Sequence, residues 1–387
     1  MLEQADILIV GGGPVGATLA LTLKHSGLKI AVLEAQQDFS PAADPRTLAL
    51  SYGSRLLLER LGVWQALPDA TTIETIHVSL RGGFGRAVLS ARQADLPALG
   101  YVVNYAALNQ ALHEALKKNI EHYITSAEVS RISSTENNAV AEFDYHGVVH
   151  QISAHLLVLA DGGRSLAGAA GIERTQHDYQ QSAVVAQVST ELPHRNIAYE
   201  RFTPQGPAAL LPNGEGFALV WTAAPDAAQT ICQLDDAAFL QQLHAHFGDR
   251  LGKFTMAGKR TSFPLSLKYA RPVATQRTVL IGNAAQMLHP VAGQGFNLGL
   301  RDAWELGAEI LNTPPQEIGS AAMLTRYRKQ RRIDTGGGII FTDALVRGFS
   351  NDYPLLRHGR GLALAALDML PPLKKLVVRK MIFGAKG

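Results

Sequence analysis

Residues 5–34 read ADILIVGGGPVGATLALTLKHSGLKIAVLE, and the order of residue types there decides the fold. Ile7, Leu8, Ile9 and Val10 form an apolar run of strand length. Gly11-Gly12-Gly13-Pro14-Val15-Gly16 breaks the run, and Ala17, Leu19, Ala20 and Leu23 then recur on one side of a helix. Gly27 ends that helix, and residues 28–33 lead into a second buried strand that finishes on Glu34. Strand, glycine turn, helix and strand, with an acid at the last tip, predict a dinucleotide-binding unit.

Each part has a physical task. Gly11 permits the tight exit from the strand, Gly13 lets a pyrophosphate approach the backbone, and Gly16 lets the helix lie close on the sheet. The helix start offers free N–H groups and the positive end of its dipole to the phosphates. Glu34 follows Gly11 by 23 residues and is placed to accept both hydroxyls of an adenosine ribose. An acid at that position disfavours a 2′-phosphate, so the reading favours FAD or NAD over NADP. A merely structural glycine turn is the alternative, and the acid at the second strand's tip argues against it.

The rest of the composition bounds the answer. At 387 residues, 47% hydrophobic and 18% charged, the chain is long and apolar enough for a large core and two closely joined domains. A net charge of +3 does not argue for nucleic acid. The opening MLEQAD has acids where a secretory signal needs bases, and outside residues 5–34 no apolar stretch is long enough to span a membrane. The lone Cys232 excludes a paired redox centre and suits a reducing cytoplasm. His244 and His246 are two apart on a predicted helix, hence on different faces, and no other cluster has metal-ligand spacing.

Along the chain, a polar loop leads to Arg46, placed either to reach the flavin or pyrophosphate or to open a helix as a surface charge. Periodicity predicts helices over 52–61, 104–118 and 235–247, and a hairpin over 76–91 around Gly82-Gly83. Three short runs, 127–132, 139–145 and 148–152, read as an antiparallel meander, followed by a separate buried strand at 156–160. That strand ends in Asp161-Gly162, an acid at the sheet's carboxyl edge that can meet a ligand or cap a helix. Strands at 182–189, 198–202, 208–211 and 217–222 predict a second, antiparallel sheet. Residues 278–281 are a short strand running into GNAAQMLHPVAGQGFNLG (282–299), where Gly293 and Gly295 free the backbone at another helix start. Gly336-Gly337-Gly338 would cost about 3 kcal/mol against alanine inside a helix, so a break or very close packing is expected there.

Taken together these residues resemble the flavoprotein aromatic hydroxylases, the group A monooxygenases typified by para-hydroxybenzoate hydroxylase. That family carries, in order, GxGxxG with a distant acid, a DG strand end, and a GD(A/S)AH-x-x-P-x-x-G-Q-G-x-N segment. Here they stand as Gly11, Gly13, Gly16 and Glu34, then Asp161-Gly162, then 282–297. RTLALS (46–51), YERFTPQGPAALLP (199–212) and GKRTSFPLSL (258–267) look like the ubiquinone-biosynthesis branch. Asn283 replaces the family's usual aspartate and Gln286 its following histidine; an amide can still bond a ribityl hydroxyl. The resemblance puts an arginine near the start of the helix that here opens Asn104-Tyr105.

The resemblance implies an α/β protein: a Rossmann-type FAD-binding domain (1–75, 100–180 and 275–325), an inserted antiparallel-sheet substrate domain (76–99 and 181–274) and a C-terminal helical region (326–387). It implies FAD held by Gly11, Gly13, Gly16, Glu34, Arg46, Asp161, Asn283, Gly293, Gln294, Gly295 and Asn297, with His289 and Pro290 near the flavin. The implied reaction hydroxylates a prenylated phenol through a flavin C4a-hydroperoxide made from O2 and NAD(P)H-reduced FAD. The cofactor carries that chemistry, so no nucleophile or acid–base constellation is required. Rivals are another flavin enzyme on the same scaffold, such as a halogenase, and a non-catalytic flavin-binding subunit of a quinone-biosynthesis assembly. Trp64, Trp221 and Trp304 are scattered, unlike a halogenase's clustered tryptophans.

A lipid-tailed substrate implies a cytoplasmic protein peripheral to the inner membrane. Leu373, Leu376, Val377 and Met381 recur at helical spacing with Lys374, Lys375, Arg379 and Lys380 interleaved. That pattern predicts either a basic helix lying on an anionic bilayer or a terminal helix packed on its own domain.

Overall fold

The computed structural model describes residues 2–37, 46–289, 293–349 and 354–384. The described residues form three sheets. The first runs β18 (Ala274–Thr275), β19 (Thr278–Leu280), β11 (Val148–Leu159), β1 (Gln4–Val10), β2 (Ile30–Leu33) and β8 (His122–Ile124), with β10 (Ala139–Tyr145) and β9 (Ala127–Ser134) branching from β11. The second runs β20 (Gln286–Met287), β17 (Thr261–Arg271), β12 (Glu173–Thr190), β15 (Gly216–Ala223), β14 (Gly206–Asn213), β13 (Ile197–Thr203), β5 (Thr75–Leu80) and β6 (Arg86–Ser90), with β16 (Phe254–Ala257) beside β12. The third is small: β3 (Thr47–Ser51), β7 (Gly100–Asn104) and β4 (Thr71–Ile73).

The helices are α1 (Pro14–Leu23), α2 (Tyr52–Arg60), α3 (Tyr105–Asn119), α4 (Pro225–Gln233), α5 (Asp236–Phe247), α6 (Gln294–Leu311), α7 (Ala321–Phe349), α8 (Pro354–Met369) and α9 (Pro371–Phe383). Alternation along β1 explains how the first sheet is covered. Ile7 and Ile9 turn to one face, where Leu19 and Leu23 of α1, Leu112 of α3 and Leu306 of α6 bury them. Leu8 and Val10 turn to the other, against Phe143 and Ile152 of the β9–β10–β11 meander. Full burial of each such side chain is worth about 1.5–3 kcal/mol. In the second sheet Val184, Leu210 and Leu219 share a face sealed by Phe239 and Leu243 of α5.

The structure departs from the sequence expectations at three places. The meander's third strand and the buried strand after it are one strand: β11 pairs antiparallel with β10 along 148–154, then parallel with β1 up to Leu159. Ser153 and His155 interrupt the two apolar runs, yet pairing with β10 as far as Ala154 and with β1 from Ser153 onward keeps the backbone bonded throughout. Gly336-Gly337-Gly338 neither breaks α7 nor seats a neighbour against its first two glycines; a Cβ on Gly336 or Gly337 would meet nothing within 4 Å. The helix is pinned earlier by its contacts with α6, and tertiary anchoring outweighs the local glycine cost. Finally, α9 buries Lys374, Val378 and Ile382, a stripe out of phase with the one read from the sequence, while Leu373 and Leu376 face out.

Candidate active site

The parallel strands β19, β11, β1 and β2 deliver their carboxyl ends to one edge of the first sheet, where α/β proteins bind ligands. Asn283 follows β19, Asp161 follows β11, the glycine turn follows β1 and Glu34 follows β2. Four segments far apart in sequence thus meet by topology alone.

At the glycine turn, space is allotted residue by residue. A Cβ on Gly11 would lie 2.7 Å from the Ala160 carbonyl carbon, and one on Gly16 only 2.0 Å from the Gly11 oxygen. A Cβ on Gly13 would meet nothing within 4 Å. Gly13 is the N-cap of α1, and no side chain caps that helix start. Bare N–H groups behind a cleared space fit a diphosphate, and this is the feature that suits FAD.

Glu34 is buried with its carboxylate accepting from Gly12 N at 2.7 Å and Gln36 N at 2.9 Å. Those bonds shape the turn and leave lone pairs for a ribose, so one residue serves the fold and the ligand. Asp161 accepts from Gly163 N at 2.9 Å and Ser165 N at 2.7 Å, the capping role, at the edge where a ligand would lie. Arg46 does not open a helix: it precedes β3, and its guanidinium lies 4.7 Å from the Tyr105 ring centroid. A cation therefore stands at the start of α3 after all, delivered from another segment.

In the third motif, Gly293 takes φ +60° as the N-cap of α6 and its Cβ position is 3.1 Å from Ala49 Cβ. Gln294 and Gly295 open α6. Asn297, read as a cofactor ligand, is instead a bracket. Its Oδ1 accepts from Ser51 N and Ser54 Oγ at 2.8 and 2.7 Å; its Nδ2 donates to the carbonyls of Ala49 and Gly293 at 2.9 and 2.7 Å. An amide has two donors and two lone pairs, all used here on protein, so it ties β3 and α2 to the motif. Asn283 is exposed, and among the described residues no hydrogen bond holds its side chain. Asn283→Asp should leave FAD content unchanged and stability within about 0.5 kcal/mol, measured by flavin absorbance and thermal melting.

Sequence reading gave no role to the residues that hold this motif. Asp302 on α6 accepts from Gly282 N at 2.9 Å and Gln286 Nε2 at 2.5 Å, and pairs with Arg331 on α7. Arg331, 2% exposed, also reaches Glu305 and Asp334, both at 2.9 Å. Burial works against the Arg331 charge, but Asp302, Tyr327, Glu305 and Asp334 more than offset it and hold the guanidinium above its ordinary pKa. Burial likewise pushes the Asp302 carboxyl up against the pull of Arg331. Every contact to Asp302 is a donor, which fixes it as the ionised partner. Gln286, in place of the family's histidine, is thereby a structural donor.

His289 is buried, its ring 5.3 Å from that of Tyr179 and edge-on to it, and burial lowers its pKa to about 4, so the imidazole is neutral. Pro290 lies outside the described residues. Beside the motif a small cavity of about 60 Å³, open on one side, is walled by Ile76, Leu89, Gln294, Asn297, Val378 and Ile382. Its lining is overwhelmingly apolar, and α9 forms one side.

A family model described as an FAD binding domain matches residues 4–334. The chain is 34% identical to "Ubiquinone hydroxylase UbiL" of Rhodospirillum rubrum over 97% of its length and 89% of that protein. It is 32% identical to the Escherichia coli "3-demethoxyubiquinol 3-hydroxylase", over 97% of this chain and 98% of that one. The crystal structure of p-nitrophenol 4-monooxygenase PnpA from Pseudomonas putida superposes over all of both chains with a TM-score of 0.79 at 18% identity, a likeness of fold. The cleared glycine turn, the sheet edge and these full-length matches agree: the chain belongs to the FAD-dependent aromatic hydroxylase family, as a flavin monooxygenase.

Proposed function

We propose that this chain hydroxylates the aromatic ring of a polyprenyl phenol on the route to ubiquinone, using FAD, O2 and NAD(P)H. The observation that carries the substrate class is the apolar cavity abutting the third motif. Bound FAD would supply the redox chemistry, passing electrons from the nicotinamide to O2 and delivering one oxygen to the ring. This chain's residues bind, orient and exclude water. Gly13 and the α1 start would hold the diphosphate, Glu34 the adenosine ribose, and Arg46 would add positive charge for the pyrophosphate. Asp161 and the Asn283 amide would bond the ribityl chain, and the α6 start at Gly293, Gln294 and Gly295 would offer its N–H groups to the flavin. Ile76, Leu89, Val378 and Ile382 would give the prenyl tail apolar walls. Deleting the gene and identifying the accumulated precursor by mass spectrometry tests the reading: a prenylated phenol or quinol lacking one ring hydroxyl is expected, and an unchanged quinone profile would refute it.

The same helix that walls the cavity carries the membrane contact. Among the described residues no helix is long and apolar enough to cross a membrane. Val378 and Ile382 join a core cluster with Leu89 and Leu99, Lys374 pairs with Asp368 at 3.0 Å, and Lys375 with Asp95 at 2.5 Å. On the outer side Met369, Leu370, Leu373 and Leu376 are exposed beside Arg379 and Lys380. Apolar side chains rimmed by cations match an anionic bilayer, each charge contributing about 1 kcal/mol near the surface. Because α9 is also part of the core, truncation would confound the test. Substituting Leu373→Glu together with Leu376→Glu should instead keep the melting temperature and FAD, while sedimentation with phosphatidylglycerol vesicles falls about tenfold or more. Unchanged sedimentation of the double variant would refute the contact.

A further inference from the structure

The second sheet carries a basic recess on the face that α5 covers, at that helix's C-terminal end. His77 and Ser79 of β5 stand in register with Tyr199 and Arg201 of β13, and with Val88 and Arg86 of β6 on the other side. His77, Ser79, Tyr199 and Arg201, with Phe247 at the end of α5 and Arg250 after it, wall a recess of about 10 Å³. That is room for one water-sized group. Arg201 Nη1 donates to the Phe247 carbonyl at 2.9 Å, while its Nε is buried with no partner among the described residues. His77 is only 7% exposed, and its Nε2 is likewise buried without a partner among them. A buried nitrogen left unbonded is costly, and an acceptor arriving from outside relieves that cost.

The charges gathered there are of one sign. Arg81, Arg86 and Arg250 are exposed around the half-buried Arg201, and among the described residues none of the four has an ion-pair partner. Asp249, next to Arg250 in the chain, pairs instead with His244 at 2.9 Å, and Asp368 pairs with Lys374 at 3.0 Å. Burial, then Arg250, Arg86 and Arg201, lower the pKa of His77, so its imidazole is neutral and keeps one N–H to donate. Cations collected without an acid, over a recess with unbonded nitrogens, leave a place for an anion. The recess also lies beside the surface proposed above to meet the bilayer. Val88, the partner of His77 on β6, donates its N–H to Asp368 Oδ1 at 3.0 Å and accepts from Lys374 Nζ at 3.3 Å. Only the spacing of two strands, about 4.8 Å, therefore separates His77 from the strand that the α8–α9 corner grips. At that corner Met369, Leu370, Leu373 and Leu376 are exposed, and the β5–β6 hairpin adds Phe84, 51% exposed between Arg81 and Arg86.

We infer that this recess binds the phosphate of an anionic phospholipid headgroup. The inference rests on the membrane contact proposed above and gives that contact a specific lipid group. One phosphate oxygen enters the recess and accepts from His77 Nε2, with the Arg201 guanidinium behind it. Arg86 and Arg250 meet the oxygens left at the mouth, where a guanidinium fork matches two of them. The acyl chains lie on the side of Phe84 and the α8–α9 leucines, which are apolar and exposed. A free phosphate ester shares the headgroup's charge but makes no use of that apolar border, so the lipid is the ligand the surroundings favour.

The test uses the FAD-loaded full chain. Arg86→Gln together with Arg250→Gln should keep FAD absorbance and melting temperature, since both side chains are exposed. Its sedimentation with phosphatidylglycerol vesicles should fall about tenfold. Lys117→Gln with Lys118→Gln removes the same charge from the exposed end of α3 and should change sedimentation less than about twofold. Occupancy is read on the protein itself by NMR. Dihexanoyl-phosphatidylglycerol, kept below its micelle concentration, should shift the imidazole resonance of His77, assigned by its loss in His77→Gln. The arginine double variant should abolish that shift, and glycerol 3-phosphate, lacking acyl chains, should produce it only at much higher concentration. Equal sedimentation losses for the arginine and lysine variants, or no shift at His77, would overturn the site while leaving the bilayer contact of Leu373 and Leu376 intact. An equal shift with glycerol 3-phosphate, alongside unchanged sedimentation of the arginine variant, would overturn the lipid and make the ligand a free phosphate ester. Wild-type protein that does not sediment with these vesicles would overturn the membrane contact and, with it, the headgroup site.

Discussion

Gly13→Val is expected to leave the fold intact and to strip the protein of FAD. The backbone at Gly13 has φ −62° and ψ 178°, which any L-residue adopts, and a Cβ there touches nothing within 4 Å. The valine Cβ thus meets no protein atom within 4 Å, and its methyl groups would extend into the space before the α1 start. Hydrogen bonds from helix N–H groups to a charged phosphate are worth about 1.5–3 kcal/mol each. Losing two of them weakens FAD by about two to four orders of magnitude. The purified variant should be colourless with an apoprotein melting temperature near wild type. Gly16→Val is the contrast: its Cβ would be driven to 2.0 Å from the Gly11 oxygen, so folding itself should fail.

The second large effect lies in the ion network. Asp302→Ala should destabilise the protein by about 3–5 kcal/mol, because Arg331 would remain buried with its principal partner gone. It also frees Gly282 N and Gln286 Nε2, which together place the strand-to-helix turn bearing Asn283. FAD retention should therefore fall with stability. Asp302→Asn keeps an acceptor for Gly282 and should cost less. Equal melting temperatures for Asp302→Ala and wild type in chemical and thermal denaturation would show that the network does not hold the motif.

What could be read from the sequence was local. The first strand–turn–helix–strand unit is contiguous, so hydrophobic period, glycine positions and Glu34 all lie within one window, and the structure places them together. The start of α6 announced itself through Gly293 and Gly295 in the same way. Roles set by distant partners were not legible. Asn297 sits where a ligand residue was expected, but its four partners come from Ala49, Ser51, Ser54 and Gly293, three of them more than 240 positions away. Arg331 lies in RYRKQRR (326–332), a run that reads as a solvated charged face. Only the packing of α7 on α6 turns one of its arginines inward.

Holding FAD at the sheet edge, this chain is expected to place oxygen from O2 onto a phenol ring. The most direct measurement is single-turnover product analysis by mass spectrometry with isotopically labelled O2, using purified holoprotein, NAD(P)H and a short-chain prenylated phenol. One labelled oxygen in the hydroxylated ring per NAD(P)H consumed is expected, and none in the Gly13→Val protein. NAD(P)H consumption that yields only hydrogen peroxide, or a hydroxyl group carrying oxygen from water, would contradict it.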